Sequence, residues 1–108
     1  MGLLDFFNDQ GHNDAYNEVN GAPHQAHLSH ELIAAAASYE AAKSYEQHVA
    51  RNGKPPSHEH AKEFLAAASG AFVDRLVETK GLDYIDAEKV KHQAKRHAEQ
   101  GLRDSGEY

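Results

Sequence analysis

The chain has no cysteine and no tryptophan, and it contains only one methionine and three prolines. Without cysteine there is no disulfide framework, no thiolate metal site and no catalytic thiol, which fits a reducing compartment. The longest uninterrupted apolar run covers residues 32–37, far short of the ~18 residues that a transmembrane helix needs. The first residues also lack a basic segment and a continuous apolar stretch. The sequence therefore predicts no secretory signal and no membrane span, and it favours a cytoplasmic location.

Positive charge is scarce as well. Lys and Arg number 11 against 17 Asp and Glu, a formal net charge of -6. Because nucleic-acid binding depends on an excess of Lys and Arg, the balance argues against nucleic acid as the main partner. Residues 1–26 carry four acids and no Lys or Arg, whereas residues 86–103 carry five bases and three acids. A basic C-terminal helix could meet an acidic N-terminal arm, although solvated faces are the favoured interpretation.

The central element of the predicted fold is a helix over residues 57–81. At ~100° per residue it has two adjoining apolar faces. One face holds Phe64, Leu65, Ala68, Ala71, Phe72 and Leu76, and the other holds Ala66, Gly70, Val73 and Val77. The positions left for water are Glu63, Ala67, Asp74 and Glu78. A helix that is apolar nearly all round must be covered on several sides.

The other predicted elements complete a single all-α domain over residues 1–108. An N-terminal arm covers residues 1–26, with an apolar hook at residues 1–7 that packs on the bundle and two helical turns at residues 14–20. The first long helix covers residues 27–53, a shorter third helix covers residues 86–103, and residues 104–108 form a tail. Ser29 and Ser57 are predicted N-caps, and Gly53 and Gly81 end their helices. The predicted apolar arc of the first helix is Leu28, Leu32, Ala35, Tyr39, Ala42, Tyr45 and Val49.

A short connection makes the two long helices an antiparallel hairpin. In that register Arg75 lies within a turn of Glu31, and we expect the two side chains to form a buried ion pair. The third helix has a thin apolar side that includes His97, which is interpreted as a core or interface histidine. Two partners therefore leave part of the central helix uncovered. The sequence predicts a homodimer, a helical bundle joined through Ala66, Gly70, Val73 and Val77.

Three stretches carry a family resemblance: MGLLDFF at the N-terminus, HLSHELIAAAASYEAAKSYEQHVARNGKP, and AFVDRLVETKGLDYIDAEKVKHQAK. Together they cover most of the chain, which resembles the small fungal CipC-like proteins, named for induction by the antibiotic concanamycin. The resemblance implies a small, soluble, helical protein of a stress or antibiotic response inside the cell. It supplies no catalytic residues.

Nine histidines are many for 108 residues. On a helix, residues three or four apart share a face, so His27 together with His30 or Glu31 would give two ligands to Zn or Cu. A third ligand would come from His60, Glu78 or His97. The same histidines would suit a proton sensor, whereas capping of the first turn and neutralisation of Arg75 explain these residues without a metal. No cofactor is predicted on balance.

The function that we favour from sequence is a non-enzymatic stress-response protein whose homodimer binds a partner or a small apolar ligand. The ligand would lie among Tyr39, Tyr45, Phe64 and Phe72. One alternative is a metal or pH sensor that uses His27, His30 and Glu31. The other is an enzyme in which Glu31, His27 and Arg75 form an acid/base cluster.

Overall fold

The computed structural model describes residues 3, 7, 11–21, 28–53, 55–81 and 86–104. Four α-helices follow one another in this part of the chain: α1 (His12–Gly21), α2 (His30–Asn52), α3 (His58–Lys80) and α4 (Ala87–Asp104). The described residues contain no β-strand, so the prediction of an all-α protein is confirmed. Helix α1 lies in the predicted arm, where the sequence indicated two helical turns.

Local sequence signals set the ends of the helices. The Ser29 hydroxyl accepts a hydrogen bond from the Leu32 backbone N–H at 3.1 Å, and Ser57 does the same for His60 at 3.2 Å. Each bond satisfies one of the backbone donors that the first turn of a helix leaves without a partner. Gly81 ends α3 in the left-handed conformation, at φ 66° and ψ 40°. These caps agree with the sequence predictions.

Helices α2 and α3 run antiparallel. Tyr45, near the end of α2, meets Phe64, near the start of α3, with ring centroids 6.0 Å apart. At the other end of the pair, Ile33 of α2 lies in one apolar cluster with Phe72 and Leu76 of α3. The predicted hairpin is therefore present.

The buried side chains form two apolar clusters, one toward each end of the hairpin. The first comprises Val19, Leu28, Ile33, Ala34, Ala36, Ala37, Phe72, Val73, Leu76, Val90 and Ala94. The second comprises Leu3, Phe7, Ala41, Ala42, Tyr45, Ala61, Leu65, Ala98 and Leu102. Alanines supply much of both clusters, which lets the helix backbones approach closely and gain dispersion contacts.

The buried side of α2 differs from the predicted arc. Leu32, Ala35, Tyr39 and Val49 are only half-buried. The fully covered positions are Ile33, Ala34, Ala36, Ala37, Ser38, Ala41, Ala42 and Tyr45. The cause is that α2 contacts α1, α3 and α4, so its coverage is not restricted to the side that faces one partner.

The face of α3 that was assigned to a homodimer is covered in part within one chain. Val73 is 0 % exposed, and Val77 packs against the first cluster. A Cβ at Gly70 would lie 3.9 Å from Cδ of Lys91 on α4, and Ala66 lines a crevice whose far wall belongs to α4. Val73 is therefore unavailable to a second chain, whereas Ala66, Gly70 and Val77 are half-buried, and a homodimer through this face stays a prediction.

Helix α4 covers more than its sequence suggested. Its buried residues are Val90, Ala94, Ala98, Gly101 and Leu102. His97, which was interpreted as a core or interface residue, is exposed. The apolar side of α4 is narrow, yet it covers α2 and α3 because its small residues let the helix backbones lie close together.

Two residues of the predicted N-terminal hook, Leu3 and Phe7, lie within the described structure, and both pack on the bundle. Leu3 is 0 % exposed and Phe7 is 2 % exposed, and both belong to the second cluster. The Leu3 backbone N–H donates a hydrogen bond to Oε1 of Glu46 at 2.9 Å. The ring of Phe7 lies directly against Gly101 of α4. Leu3 and Phe7 therefore share one core with Ala98 and Leu102 of α4.

Candidate functional site

The predicted metal ligands lie at the start of α2. His30 is half-buried and Glu31 is exposed, whereas His27 lies outside the described residues. The third ligands considered from sequence, His60 and His97 among them, are exposed on other helices. Across residues 3, 7, 11–21, 28–53, 55–81 and 86–104, no three His, Asp or Glu side chains are grouped so that they could hold a metal ion.

Glu31 and Arg75 do not form the predicted buried pair. Both side chains are exposed. The Arg75 guanidinium instead lies over the ring of Phe72, 5.6 Å from its centroid. This contact stabilises the cation through the negative face of the ring while the charge stays in water. The electrostatic reason for pairing Arg75 with a buried carboxylate is thereby removed.

The four aromatic residues predicted to line a ligand pocket are part of the core. Phe72 belongs to the first cluster and Tyr45 to the second, and they are 3 % and 0 % exposed. Tyr39 and Phe64 are half-buried and pack against the second cluster. The ring of Tyr16 on α1 contacts both Tyr39, at 5.0 Å, and Phe72, at 6.1 Å. These rings thus fill space between helices.

A basic face runs along the exposed side of α4. Its members are separated by three or four residues, which places them on one side of a helix. We define the α4 basic face as Lys89, His92, Arg96, Gln100 and Arg103, all of which are exposed. Over the described residues, the side chains of Lys89, Arg96 and Arg103 form no hydrogen bond or ion pair. Their charges are available to a partner.

Two other charged side chains of α4, Lys91 and Glu99, lie toward α3. Lys91 joins Asp74 of α3 at 2.7 Å and Glu88 of its own helix at 3.4 Å. The hydrogen bond to Asp74 is the main cause of a raised pKa for Lys91, burial opposes the rise, and Glu88 adds to it. Glu99 lines the crevice of 170 Å³ between α3 and α4. Lys91 therefore fastens α4 to α3 and leaves the basic face to the other cations.

A hollow of 230 Å³ opens beside the centre of the α4 basic face. Gln93, Arg96, His97 and Gln100 line it, and we call it the α4 hollow. The side-chain oxygen Oε1 of Gln93 is buried and accepts no hydrogen bond within the described structure. An acceptor that is buried without a donor costs free energy, and because this oxygen is covered by protein atoms a ligand in the hollow does not reach it.

The α4 hollow adjoins the N-terminal segment. The ring of His12 lies 4.7 Å from Phe7 and 5.9 Å from His97, measured between centroids. His97 therefore contacts α1 on one side and lines the hollow on the other. The position of the His97 side chain therefore depends on the packing of Phe7 and His12.

The sequence predictions missed this site. Gln93, Arg96 and Gln100 were not singled out, and His97 was assigned to the apolar side of its helix. A usable signal was present, because spacings of three, four and seven residues put the four side chains on one helical face. The burial of the Gln93 oxygen was not readable, since it depends on neighbouring elements.

The fold and this surface define a class: a small all-helical protein that is acidic overall and carries a basic face on its last helix. The family described as Virulence factor CipC-like matches residues 13–105. The chain therefore belongs to the CipC-like family, as the resemblance indicated. No curated protein and no solved structure matches it. In the described part of the chain, none of the helices has the length and apolar character required of a membrane span.

Proposed function

We propose that this CipC-like chain is a non-enzymatic protein of a stress or antibiotic response in the cytoplasm, and that it binds an acidic segment of another protein through the α4 basic face. One observation carries the proposal. Three cations and a histidine share one exposed side of α4, and the three cations are free of ion pairs among the described residues. Unpaired like charges on one face repel one another, and an acidic partner removes that repulsion.

The charge of the rest of the chain favours a short partner. Outside Ala87–Asp104 there are six Lys and Arg residues against fourteen Asp and Glu residues. A long polyanion such as a nucleic acid, or a flat anionic membrane, would meet this acidic remainder and be repelled. The face extends over about 21 Å, because Lys89 and Arg103 are separated by fourteen helical steps of ~1.5 Å each. A short acidic peptide segment matches that length.

The structure supports a binding role better than the catalytic alternative. Of the acid/base cluster considered from sequence, Glu31 and Arg75 are both exposed, and neither lines the α4 hollow or the crevice between α3 and α4. His27 lies outside the described residues. Metal binding by His27, His30 and Glu31 stays a separate prediction, which elemental analysis of untagged protein tests.

The proposal is tested with a fluorescent glutamate-rich peptide of about ten residues and fluorescence anisotropy. The double variant Lys89→Gln/Arg103→Gln removes two charges from the α4 basic face. We expect its affinity to fall about tenfold or more, because each charged contact is worth roughly 1 kcal/mol at low salt. Raising the salt concentration should weaken the wild type toward the variant.

The matched control is Lys43→Gln/Arg51→Gln, which removes two exposed charges from α2. It should bind the peptide about as well as the wild type. Equal losses in both double variants would show attraction without a defined site. Tighter binding to an RNA oligonucleotide or to anionic vesicles than to the peptide would also overturn the proposal.

The predicted homodimer becomes one outcome of this test. The acidic remainder of a second copy is itself a candidate for the α4 basic face. Sedimentation at low salt distinguishes the two cases. A dimer that Lys89→Gln/Arg103→Gln converts to single chains would replace the acidic protein segment with a second copy.

A further inference from the structure

We propose that Tyr16 of α1 and Tyr39 of α2 form a site of oxidative modification, at which a one-electron oxidant leads to a carbon–carbon bond between the two phenol rings. The ring centroids lie 5.0 Å apart, and the ring planes are inclined by 45°. Both side chains are half-buried, so packing holds the rings in contact while part of each still borders solvent. The site lies on α1 and α2 and does not depend on the α4 basic face.

Coupling removes two electrons and two protons from the pair of tyrosines. Each phenol gives one electron to the oxidant and loses its hydroxyl proton, which leaves two tyrosyl radicals. The radicals combine at ring carbons next to their oxygens, and the hydrogen on each of these carbons then moves to oxygen, which restores both hydroxyl groups. The oxidant is an oxidised peroxidase haem or another one-electron acceptor, and it reacts twice. The linked chain is therefore lighter than the original by two hydrogens.

Glu40 provides an acceptor for the proton of Tyr16. The Tyr16 hydroxyl donates a hydrogen bond to Oε1 of Glu40 at 3.2 Å. An oxidised phenol is a strong acid, so its proton can move along this bond as the electron leaves. Nζ of Lys43 lies 5.5 Å from the centroid of the same ring and opposes positive charge on it. The surroundings of Tyr16 therefore favour the neutral radical, which is the species that couples.

The composition of the chain favours coupling over competing oxidation. Thiols and indoles compete with phenols for one-electron oxidants, and the chain has neither cysteine nor tryptophan. Tyr16 also contacts Phe72, but at 6.1 Å, and a phenyl ring is harder to oxidise than a phenol. The shorter contact of Tyr16 is thus with the ring that can itself become a radical.

The link would fasten α1 to the hairpin. Helix α1 has ten residues, which is short for a helix that must be stable without tertiary contacts. A covalent bond between residues 16 and 39 closes a loop and restricts the unfolded chain. The linked chain should therefore unfold at a temperature about 10 °C higher than the unmodified chain. Thermal unfolding measures this, and an unchanged midpoint would show that the link does not fasten α1.

The test exposes the dilute full-length chain to light, tris(bipyridyl)ruthenium(II) and persulfate, which together generate a one-electron oxidant. We expect a product with the mass of one chain less two hydrogens and with the fluorescence of dityrosine. A protease that cuts after glutamate releases Tyr16 within residues 1–18 and Tyr39 within residues 32–40. These two segments should be recovered joined. Joined segments that carry only other tyrosines, or no such product from single chains, would overturn the proposal.

Variants and unfolding show whether the contact directs the link. Tyr16→Phe and Tyr39→Phe each keep a ring and remove its hydroxyl, so either should abolish the product that is lighter by two hydrogens. Tyr45→Phe makes the same change in the second cluster and should leave the yield unchanged. In urea the wild type should lose about fivefold or more of its yield, because the rings are no longer held together. An equal yield in urea, or a full yield from Tyr16→Phe, would reject the site.

A further variant tests the proton acceptor. Glu40→Gln keeps an oxygen near the Tyr16 hydroxyl but replaces the carboxylate by a much weaker base, so the link should form about tenfold more slowly. Glu18→Gln removes an exposed acid from α1 and should leave the rate unchanged. Equal rates for Glu40→Gln and Glu18→Gln would show that Glu40 does not receive the proton.

Discussion

At the scale of single residues, the pairing of Gly101 with Phe7 shows how closely the N-terminal segment fits α4. A Cβ at Gly101 would overlap the Phe7 ring, with Cε1 at 3.0 Å and Cε2 at 3.1 Å. Glycine inside a helix costs roughly 0.5–1 kcal/mol relative to alanine. The position is nevertheless glycine, because the ring occupies the space that a methyl group would need.

Gly101→Ala is therefore expected to destabilise the protein by about 1–2 kcal/mol, since overpacking exceeds the gain in helix propensity. Gly70→Ala is the control, because its new methyl group would meet only Cδ of Lys91, at an ordinary 3.9 Å. We expect Gly70→Ala to stabilise by about 0.5–1 kcal/mol. Urea unfolding measures both changes. The packing argument is wrong if the two variants shift stability in the same direction.

At the scale of elements, the attachment of α4 to α3 combines a thin apolar stripe with one bridging cation. Lys91 keeps 27 % of its side chain exposed while it reaches Asp74 across the gap between the helices. The raised pKa of Lys91 means that the folded state favours the charged form. This contribution to stability is complete below the unfolded pKa of 10.5 and is lost as the pH rises through the folded pKa.

Asp74→Asn should accordingly lower both the pKa of Lys91 and the free energy of unfolding at neutral pH. The stability difference from the wild type should shrink as the pH rises beyond 10.5. Glu78→Gln removes an exposed acid from the same helix and serves as the control. NMR titration of Lys91 and unfolding at several pH values give the two readouts. A difference that persists unchanged at high pH would mean that Asp74 acts through something other than Lys91.

The helices were largely predictable from the sequence. Which of their faces are buried, and by which other helix, was not. Ser29, Ser57 and Gly81 act on their own helix ends, so local sequence suffices to place them. Val73 is buried in a cluster with residues of α4, which follows α3 in the chain and packs back against it. Arg75 stays exposed while its guanidinium lies over the ring of Phe72. Periodicity identifies an apolar face, but it does not say which element covers that face.

The same limit explains the site. The basic character of the last helix was visible as five bases against three acids. The α4 hollow required two further facts, that His97 faces outward and that the Gln93 oxygen is buried. Both follow from how α4 rotates to place Ala94 and Ala98 against the core. That rotation is a property of the packed bundle.

At the scale of the whole molecule, Val73 of α3 is buried within a single chain. Val73→Ala should therefore lower the free energy of unfolding by about 2 kcal/mol, through lost burial and a cavity. The loss should be the same at every protein concentration, because no second chain is needed to bury Val73. Thermal unfolding over a hundredfold concentration range checks this. A midpoint that rises with concentration in the wild type and not in the variant would restore Val73 to an interface between copies.

The shared core of the hook and α4 has a consequence during synthesis. Leu3 and Phe7 leave the ribosome long before Ala98 and Leu102, the side chains against which they pack. During that interval Leu3 and Phe7 lack the side chains of α4 against which they pack, and they remain accessible to chaperones or to neighbouring nascent chains. This core is therefore completed only after α4 has emerged, even if α1, α2 and α3 have already folded.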